Sequence, residues 1–248
     1  MSEEWIIGKN PVIEALKSGR SINKLFVSDQ LNHTAGQNLE RLAKEHGTVV
    51  TRVPKQKLDK MVDGNHQGVA ASVAAYAYAS IEDLFEKAEQ KGEAPFFIIL
   101  DEIEDPHNLG SILRTADAVG AHGVIIPKRR AVGLTATVAK TSAGAIEYIP
   151  VARVTNISQT IDELKERHVW IVGTEAEATE DYRSLEGTLP LALVIGNEGK
   201  GMSRLVRKKC DWTVSLAMTG NVSSLNASVA ASILMYEVFR KRNPIGEM

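Results

Sequence analysis

The chain has 248 residues, 44% of them hydrophobic and 24% charged, with a formal net charge of −2. This is an ordinary globular balance, and no apolar run reaches the roughly 18 residues that a membrane span needs. The single cysteine, Cys210, excludes an internal disulfide and a cysteine-rich zinc site, and the slight negative charge confines any nucleic-acid surface to local basic clusters.

The N-terminus, MSEEWIIGKN, is acidic and lacks a signal-peptide core, so a cytoplasmic protein is expected. Trp5 to Gly8 reads as a short strand. Asn10 then caps, and Pro11 opens, a helix running to Gly19. Ile22 to Val27 reads as a strand, Ala35 to His46 as an amphipathic helix, Val49 to Val53 as a strand, Lys55 to Val62 as a helix and Val69 to Tyr76 as a strand. Residues 1–76 are therefore expected to form a small α/β domain. Residues 77–94 are less apolar, carry a short charged helix from Ile81 to Gln90, and read as a linker with a helical piece.

From residue 95 the pattern changes. Phe96 to Leu100, Val124 to Ile126, Val169 to Val172 and Leu191 to Ile195 are continuous apolar runs, the mark of strands buried on both faces. Helical patterns separate them. Residues 95–248 are therefore expected to be an α/β domain with a parallel sheet covered on both sides.

Three motifs follow strands in this second part. After Asp101 a polar loop leads to NLGSILRTA, Asn108 to Ala116. Asn108 is expected as a helix N-cap, with Leu109, Ile112, Leu113, Ala116 and Val119 on one apolar face. Arg114 falls opposite, and Gly110 is expected to leave open space beneath it. By chemistry alone Arg114 is either a ligand-facing guanidinium or a surface arginine paired with Asp117 at i,i+3.

The second motif, VIGNEGKGMS, spans Val194 to Ser203. Its glycines allow backbone to approach a ligand closely. It is not a Walker loop, since Met202 follows Gly201 where Lys is required, and the G-x-G-x-x-G fingerprint is absent. Glu198 would repel a polyphosphate and suits a cationic or hydroxyl-bearing ligand. The third motif, SLAMTGNVSSLNASVAA, spans Ser215 to Ala231. A strand from Trp212 to Leu216 precedes it. Ser223, Ser224 and Asn226 crowd the start of a long helix, more polar groups than capping needs. The helix is apolar around most of its circumference, which implies burial on more than one side.

In this order, the three motifs resemble the SpoU (TrmH) family of RNA ribose 2′-O-methyltransferases, part of the SPOUT class. The likeness runs from about Pro95 to the C-terminus. A second one, carried by the HQG element His66-Gln67-Gly68, makes the first domain similar to the substrate-binding domain of the RlmB branch; His66 also reads as an ordinary loop histidine. The resemblance implies a trefoil knot in the second domain, a homodimer and S-adenosylmethionine as cofactor, with no metal. Carried over by motif position, Asn108, Arg114, Glu198, Ser224 and Asn226 are the implied catalytic set. Thr174, Gly196, Leu216, Met218 and Leu225 are the implied cofactor contacts, several through backbone. His66 and Gln67 are implied RNA contacts, and Arg129 and Arg130, in the basic cluster Lys128-Arg129-Arg130, are RNA-contact candidates by charge alone.

The family proposal makes Arg114 the base. An arginine holds its proton up to roughly pKa 12.5, so positioning of an RNA phosphate and stabilisation of the alkoxide are the alternative role. Two positions depart from the family pattern: Ala227 stands where Val is frequent, and Ser215-Leu216-Ala217 where Ile-Pro is usual. The expected function is 2′-O-methylation of a guanosine in 23S rRNA. The alternatives are a tRNA guanosine enzyme, an adenosine enzyme of the thiostrepton-resistance type, and a non-catalytic RNA-binding assembly factor.

Overall fold

A computed structural model describes residues 4–221 and 224–246. The chain divides into two compact units, residues 1–77 with 133–137, and residues 78–132 with 138–248.

In the first unit the elements are β1 (Trp5–Ile7), α1 (Lys9–Lys17), β2 (Ile22–Ser28), α2 (His33–Glu45), β3 (Val50–Val53), α3 (Lys55–Met61) and β4 (Val69–Val73). The strands form a sheet in the order β1-β4-β2-β3. β4 runs antiparallel to β1 and β2, and β2 pairs with β3 in parallel. Val12, Leu16, Leu25, Val27, Leu39 and Val69 make the core between sheet and helices. The first helix starts two residues earlier than the Asn-Pro signal indicates. Its N-cap is Gly8, at φ 93°, a conformation open to glycine, and no side chain caps it.

The second unit continues with α4 (Ile81–Lys91), β5 (Phe96–Leu100), α5 (Pro106–Ala118), β6 (Gly123–Pro127), α6 (Ala136–Thr141), β7 (Val151–Val154), α7 (Ile157–Glu166), β8 (Trp170–Thr174), β9 (Glu180–Asp181), β10 (Leu191–Ile195), α8 (Arg204–Lys209), β11 (Trp212–Ser215) and α9 (Ala227–Arg242). Among the described residues its sheet has seven strands, ordered β7-β6-β5-β10-β8-β11-β9, and every pairing is parallel. The apolar runs lie at its centre: β5 and β10 are buried along their whole length. The protein is thus a mixed α/β chain with a small first sheet and a larger parallel one, as the resemblance implies. The strand Val151–Val154 and the two-residue β9 carry no long apolar run and escape a reading by hydrophobicity.

Residues 78–94, expected as a linker, pack into the second unit. α4 is closed by a capping box between Ser80 and Asp83 and by Gly92 in the left-handed conformation. It buries Leu84 and Ala88. A Cβ on Gly123 would lie 2.2 Å from Leu84 Cγ, so the glycine lets this helix settle directly onto β6. No helix among the described residues is long and apolar enough to cross a membrane.

Candidate active site

The order of the large sheet fixes where a site can form. From β5 the chain winds outward through β6 to β7, then returns on the other side, placing β10 against β5. The winding direction changes at the β5/β10 crevice, and ligands of open parallel sheets bind at the C-terminal ends of such strands. Asn108 follows β5 and Glu198 follows β10, so the first two motifs flank this crevice.

α5 begins two residues before Asn108. Asp105 is its N-cap, accepting from His107 N–H at 2.8 Å, with Pro106 at the first position. This corrects the expectation that Asn108 caps the helix: the Asp-Pro pair is the stronger start signal, because the ring of Pro106 presets φ and gives up only an N–H that has no helical partner. Asn108 is instead buried in the first turn with its side chain free for other work. The expected open space beneath Arg114 is also absent. A Cβ on Gly110 would lie 2.5 Å from Thr141 Cβ, so that glycine seats α5 against residues 141–142.

The loop after β10 is held by its own polar groups. Asn197 and Gly201 exchange backbone hydrogen bonds at 3.1 and 2.8 Å, and Asn197 Oδ1 accepts from the N–H groups of Gly199 and Lys200. Gly201 takes φ +67°, and a Cβ on Gly196 would strike the 201–202 backbone at 2.3–2.4 Å. The glycines of this motif therefore close a tight turn that presents Glu198. Buried Asp101, at the end of β5, accepts from Ser203 N–H at 2.7 Å and ties the far end of the loop to the sheet.

Asn226 is the N-cap of α9. Its Oδ1 accepts from Ser228 N–H (3.0 Å), Val229 N–H (3.4 Å) and the Ser228 hydroxyl (2.6 Å). With the oxygen committed to the helix, the amide nitrogen must face outward. It donates to Asn108 Oδ1 at 2.9 Å and more weakly to Glu198 Oε1 at 3.4 Å. Asn108 Nδ2 in turn donates to Glu198 Oε1 in a short hydrogen bond, and Ala227 N–H reaches the same oxygen at 3.4 Å. Three residues, from the first turn of α5, the loop after β10 and the N-cap of α9, and up to 118 positions apart in sequence, thus form one oriented network.

Beside it lies a cleft of about 590 Å³. Thr174, Gly196, Leu216, Met218 and Leu225, the five implied cofactor contacts, all line it, together with Glu198 and Ser224. The Thr174 hydroxyl is spent on Val194 O at 3.1 Å, which leaves its backbone for a ligand. Glu175 and Arg207, which motif reading missed, also line the cleft and pair at 2.9 Å. Ser223 lies outside the described residues. Cys210 contacts Met202 near the cleft, and burial pushes its thiol up to about 12, so it is no nucleophile. Among the described residues no group of three His, Cys, Asp or Glu could hold a metal.

Arg114 stands apart. It is six residues, about 9 Å of helix axis, from Asn108. It is exposed and has no partner among the described residues, Asp117 included. Arg129 is exposed as well, whereas the Arg130 guanidinium is held by Glu102. The other basic clusters of the sequence, Arg204 with Arg207-Lys208-Lys209 and Arg240-Lys241-Arg242, are partly committed too. Lys209 pairs with Asp162, Arg240 with Glu237, and Arg242 donates to the carbonyls of Ala94, Pro95, Gly187 and Leu189, which anchors the C-terminal helix.

Comparison with known proteins agrees with this geometry. The profile of the SpoU rRNA methylase family matches residues 95–236, and that of the RNA 2′-O ribose methyltransferase substrate-binding domain matches residues 5–79. The chain is 63% identical over 244 residues to YacO of Bacillus subtilis (strain 168), which is named as a TrmH family tRNA/rRNA methyltransferase; the match covers 98% of each chain. It is 52% identical over 248 residues to a protein of that same naming from Staphylococcus aureus (strain MSSA476), with both chains covered completely. Among solved structures, the SpoU methyltransferase AviRb of Streptomyces viridochromogenes in complex with AdoMet superimposes with a TM-score of 0.62 at 28% identity, over 97% of this chain and 90% of that one. An AdoMet-bound rRNA methyltransferase of Sinorhizobium meliloti gives 0.60 at 26% identity, over 96% and 87%. With both family profiles matched, near-complete coverage by relatives, and the motif residues gathered at the switch point of the parallel sheet, the chain belongs to the SpoU/TrmH family of RNA methyltransferases.

Proposed function

We propose that this protein transfers the methyl group of S-adenosylmethionine to the 2′-hydroxyl of a guanosine in 23S rRNA, working as a cytoplasmic homodimer whose second domain is knotted. The observation that carries the reading is the Asn108–Glu198–Asn226 network at the edge of a cleft lined by all five implied cofactor residues.

The cleft suits that cofactor chemically. Glu177 and Glu198 bring carboxylates to the cationic groups of the ligand, Lys200 and Arg204 bring cations to its carboxylate, and Ile195, Leu216 and Leu225 offer apolar surface to its adenine. S-adenosylmethionine supplies an electrophilic methyl on a sulfonium centre, so neither an oxyanion hole nor a metal is required. What remains for the chain is alignment, exclusion of water and disposal of the hydroxyl proton. Asn226 and Asn108 fix Glu198 at the mouth of the cleft. Arg114, exposed and unpaired, keeps all its donors for an RNA phosphate or the forming alkoxide. Residues 1–76 supply RNA affinity, with Gln67 among the contacts and His66 holding the turn that presents it, and Arg129 of the second unit adds a basic contact.

The test is a ribose-methylation map of total RNA from cells with and without the gene, with the purified protein and labelled S-adenosylmethionine used to restore the missing mark. Loss and restoration of one 2′-O-methylguanosine in 23S rRNA is the expected result. A lost mark in tRNA or on an adenosine reassigns the substrate. No lost mark, together with no cofactor binding by calorimetry, leaves an RNA-binding assembly factor.

A further inference from the structure

The first unit has a cavity of its own, and its walls are unusually well specified. It encloses about 370 Å³, in the lower range of small-ligand sites, between the end of β2 and the turn before β4. Lys55, Asp59, Asn65, His66 and Gln67 are among the side chains that line it, with Ser28, Gln30 and Leu31 on the β2 side.

A buried imidazole organises this wall. His66 Nδ1 accepts from Gly68 N–H at 2.9 Å, so the ring proton sits on Nε2, which donates to Asp59 Oδ1 at 2.7 Å. The backbone closes the same turn, with Val69 N–H donating to His66 O at 2.8 Å. Between these bonds Gln67 is held at φ +49°. A left-handed glutamine is uncommon and carries a conformational cost that glycine would avoid. The side chain is therefore what the position keeps. The amides of both Gln67 and Asn65 are exposed and make no hydrogen bond among the described residues.

We infer that this cavity is a recognition subsite for one unpaired amine-bearing base of the RNA substrate, adenine or cytosine, read by the Gln67 amide with Asn65 and Asp59 beside it, and oriented by Lys55 on the flanking phosphate. This rests on the RNA-binding reading of the first unit given above. A carboxamide presents a donor and an acceptor side by side, the complement of the edge that adenine and cytosine share, an exocyclic amine beside a ring-nitrogen acceptor. Asp59 keeps one oxygen for that amine and, as an anion, turns the phosphate away toward Lys55. The unit would thus read a splayed base in single-stranded RNA, the usual mode of sequence-specific RNA recognition. His66 is a positioning residue here: its nitrogens are committed to Gly68 and Asp59.

The test compares two fluorescent RNA octamers on the full-length protein by anisotropy at fixed salt, octauridylate and the same strand with one central adenosine. The wild-type chain is expected to prefer the adenosine strand by about tenfold. Gln67→Gly suits the left-handed turn and deletes only the amide. It should abolish the preference while leaving thermal stability and S-adenosylmethionine affinity by calorimetry unchanged. Equal affinities in the wild type, equal gain from a central guanosine, or a preference that survives Gln67→Gly would each overturn the subsite, and a strand with one central cytidine distinguishes the two amine-bearing bases. Absence of methyl transfer or of cofactor binding would instead strike the proposed function and leaves this comparison readable.

Discussion

Asn226 holds the first turn of α9 with its oxygen and passes its amide nitrogen to Asn108 at 2.9 Å. One side chain therefore couples the start of the last helix to the start of α5, and its orientation is dictated by helix capping rather than by the ligand. This allows stability and activity to be separated. Asn226→Asp keeps a good cap but replaces the donor by a second carboxylate oxygen facing Asn108 and Glu198. Thermal stability should stay within about 1 kcal/mol of wild type, whereas turnover should fall on the order of 100-fold from misplacement of the network. Asn226→Ala should lose both, with a stability cost of about 1 kcal/mol. Thermal melts beside labelled methyl transfer decide the matter; an active Asp variant would show that the donor is idle.

Arg114→Ala should abolish methyl transfer and spare folding and cofactor affinity, because the exposed side chain contributes no core contact. Arg114→Lys should fail as well, since an ammonium lacks the planar, two-pronged donor geometry. The loss should fall on turnover rather than on KM. Near-normal turnover in the Lys variant would reduce Arg114 to a generic cation.

α9 leaves apolar surface uncovered. Val229 and Tyr236 are 47% and 51% exposed, with Ile233 half-buried between them. These positions share one face at helical spacing, while Ala231, Leu234, Met235 and Val238 bury the other. A homodimer that covers this stripe is expected, with an interface of about 2,000 Å² in total or more. Sedimentation at micromolar concentration measures it. A 27.0 kDa species would exclude the dimer, and Tyr236→Glu should shift a dimer toward monomer.

Deleting residues 1–77 should weaken RNA binding and leave S-adenosylmethionine binding nearly intact, because every residue lining the 590 Å³ cleft belongs to the second unit. Calorimetry with the cofactor and anisotropy with RNA give the two readouts. Residues 133–137 cluster with the first unit, where Leu134 O accepts from Ala75 N–H at 2.7 Å. The truncated chain should therefore carry Leu134→Ser to remove newly exposed apolar surface. Loss of cofactor binding would refute the division of labour.

His122 makes acid stability a second probe of the fold. It is fully buried, its Nδ1 accepts from Phe96 N–H at 3.0 Å, and its Nε2 faces Glu93 at 3.1 Å. Burial, aided by Lys91 and Arg242 and opposed by Glu93, lowers its pKa from 6.5 to about 4. The unfolded chain therefore takes up this proton first. The contribution is fully present above pH 6.5 and is lost as pH falls toward 4, on the order of 3 kcal/mol in all. Denaturant melts of wild type and His122→Gln between pH 7.5 and 4.5 should differ in slope over that window. Parallel curves would mean that His122 does not titrate there.

Much of this protein was legible in its residues, because the signals were local. The buried strands Phe96–Leu100 and Leu191–Ile195 are continuous apolar runs whose ends agree with the structure residue for residue. Such runs need no partner to be recognised, since only burial on both faces tolerates them. The three motifs pointed to one family, and the five implied cofactor residues line one cleft. Tertiary structure decided what depends on distant groups. It made Asn108 an interior side chain rather than a cap, because Asp105 and Pro106 start the helix earlier. It turned Gly110 from open space into a close contact with Thr141, which lies 31 residues further along the chain. It also committed Arg130, Arg240 and Arg242 to intramolecular partners, while Arg114 was left free. A sequence shows which residues carry donors and charges. Only the packing of α5, α9 and the loop after β10 around one sheet edge determines which of those groups satisfy each other and which remain for a ligand.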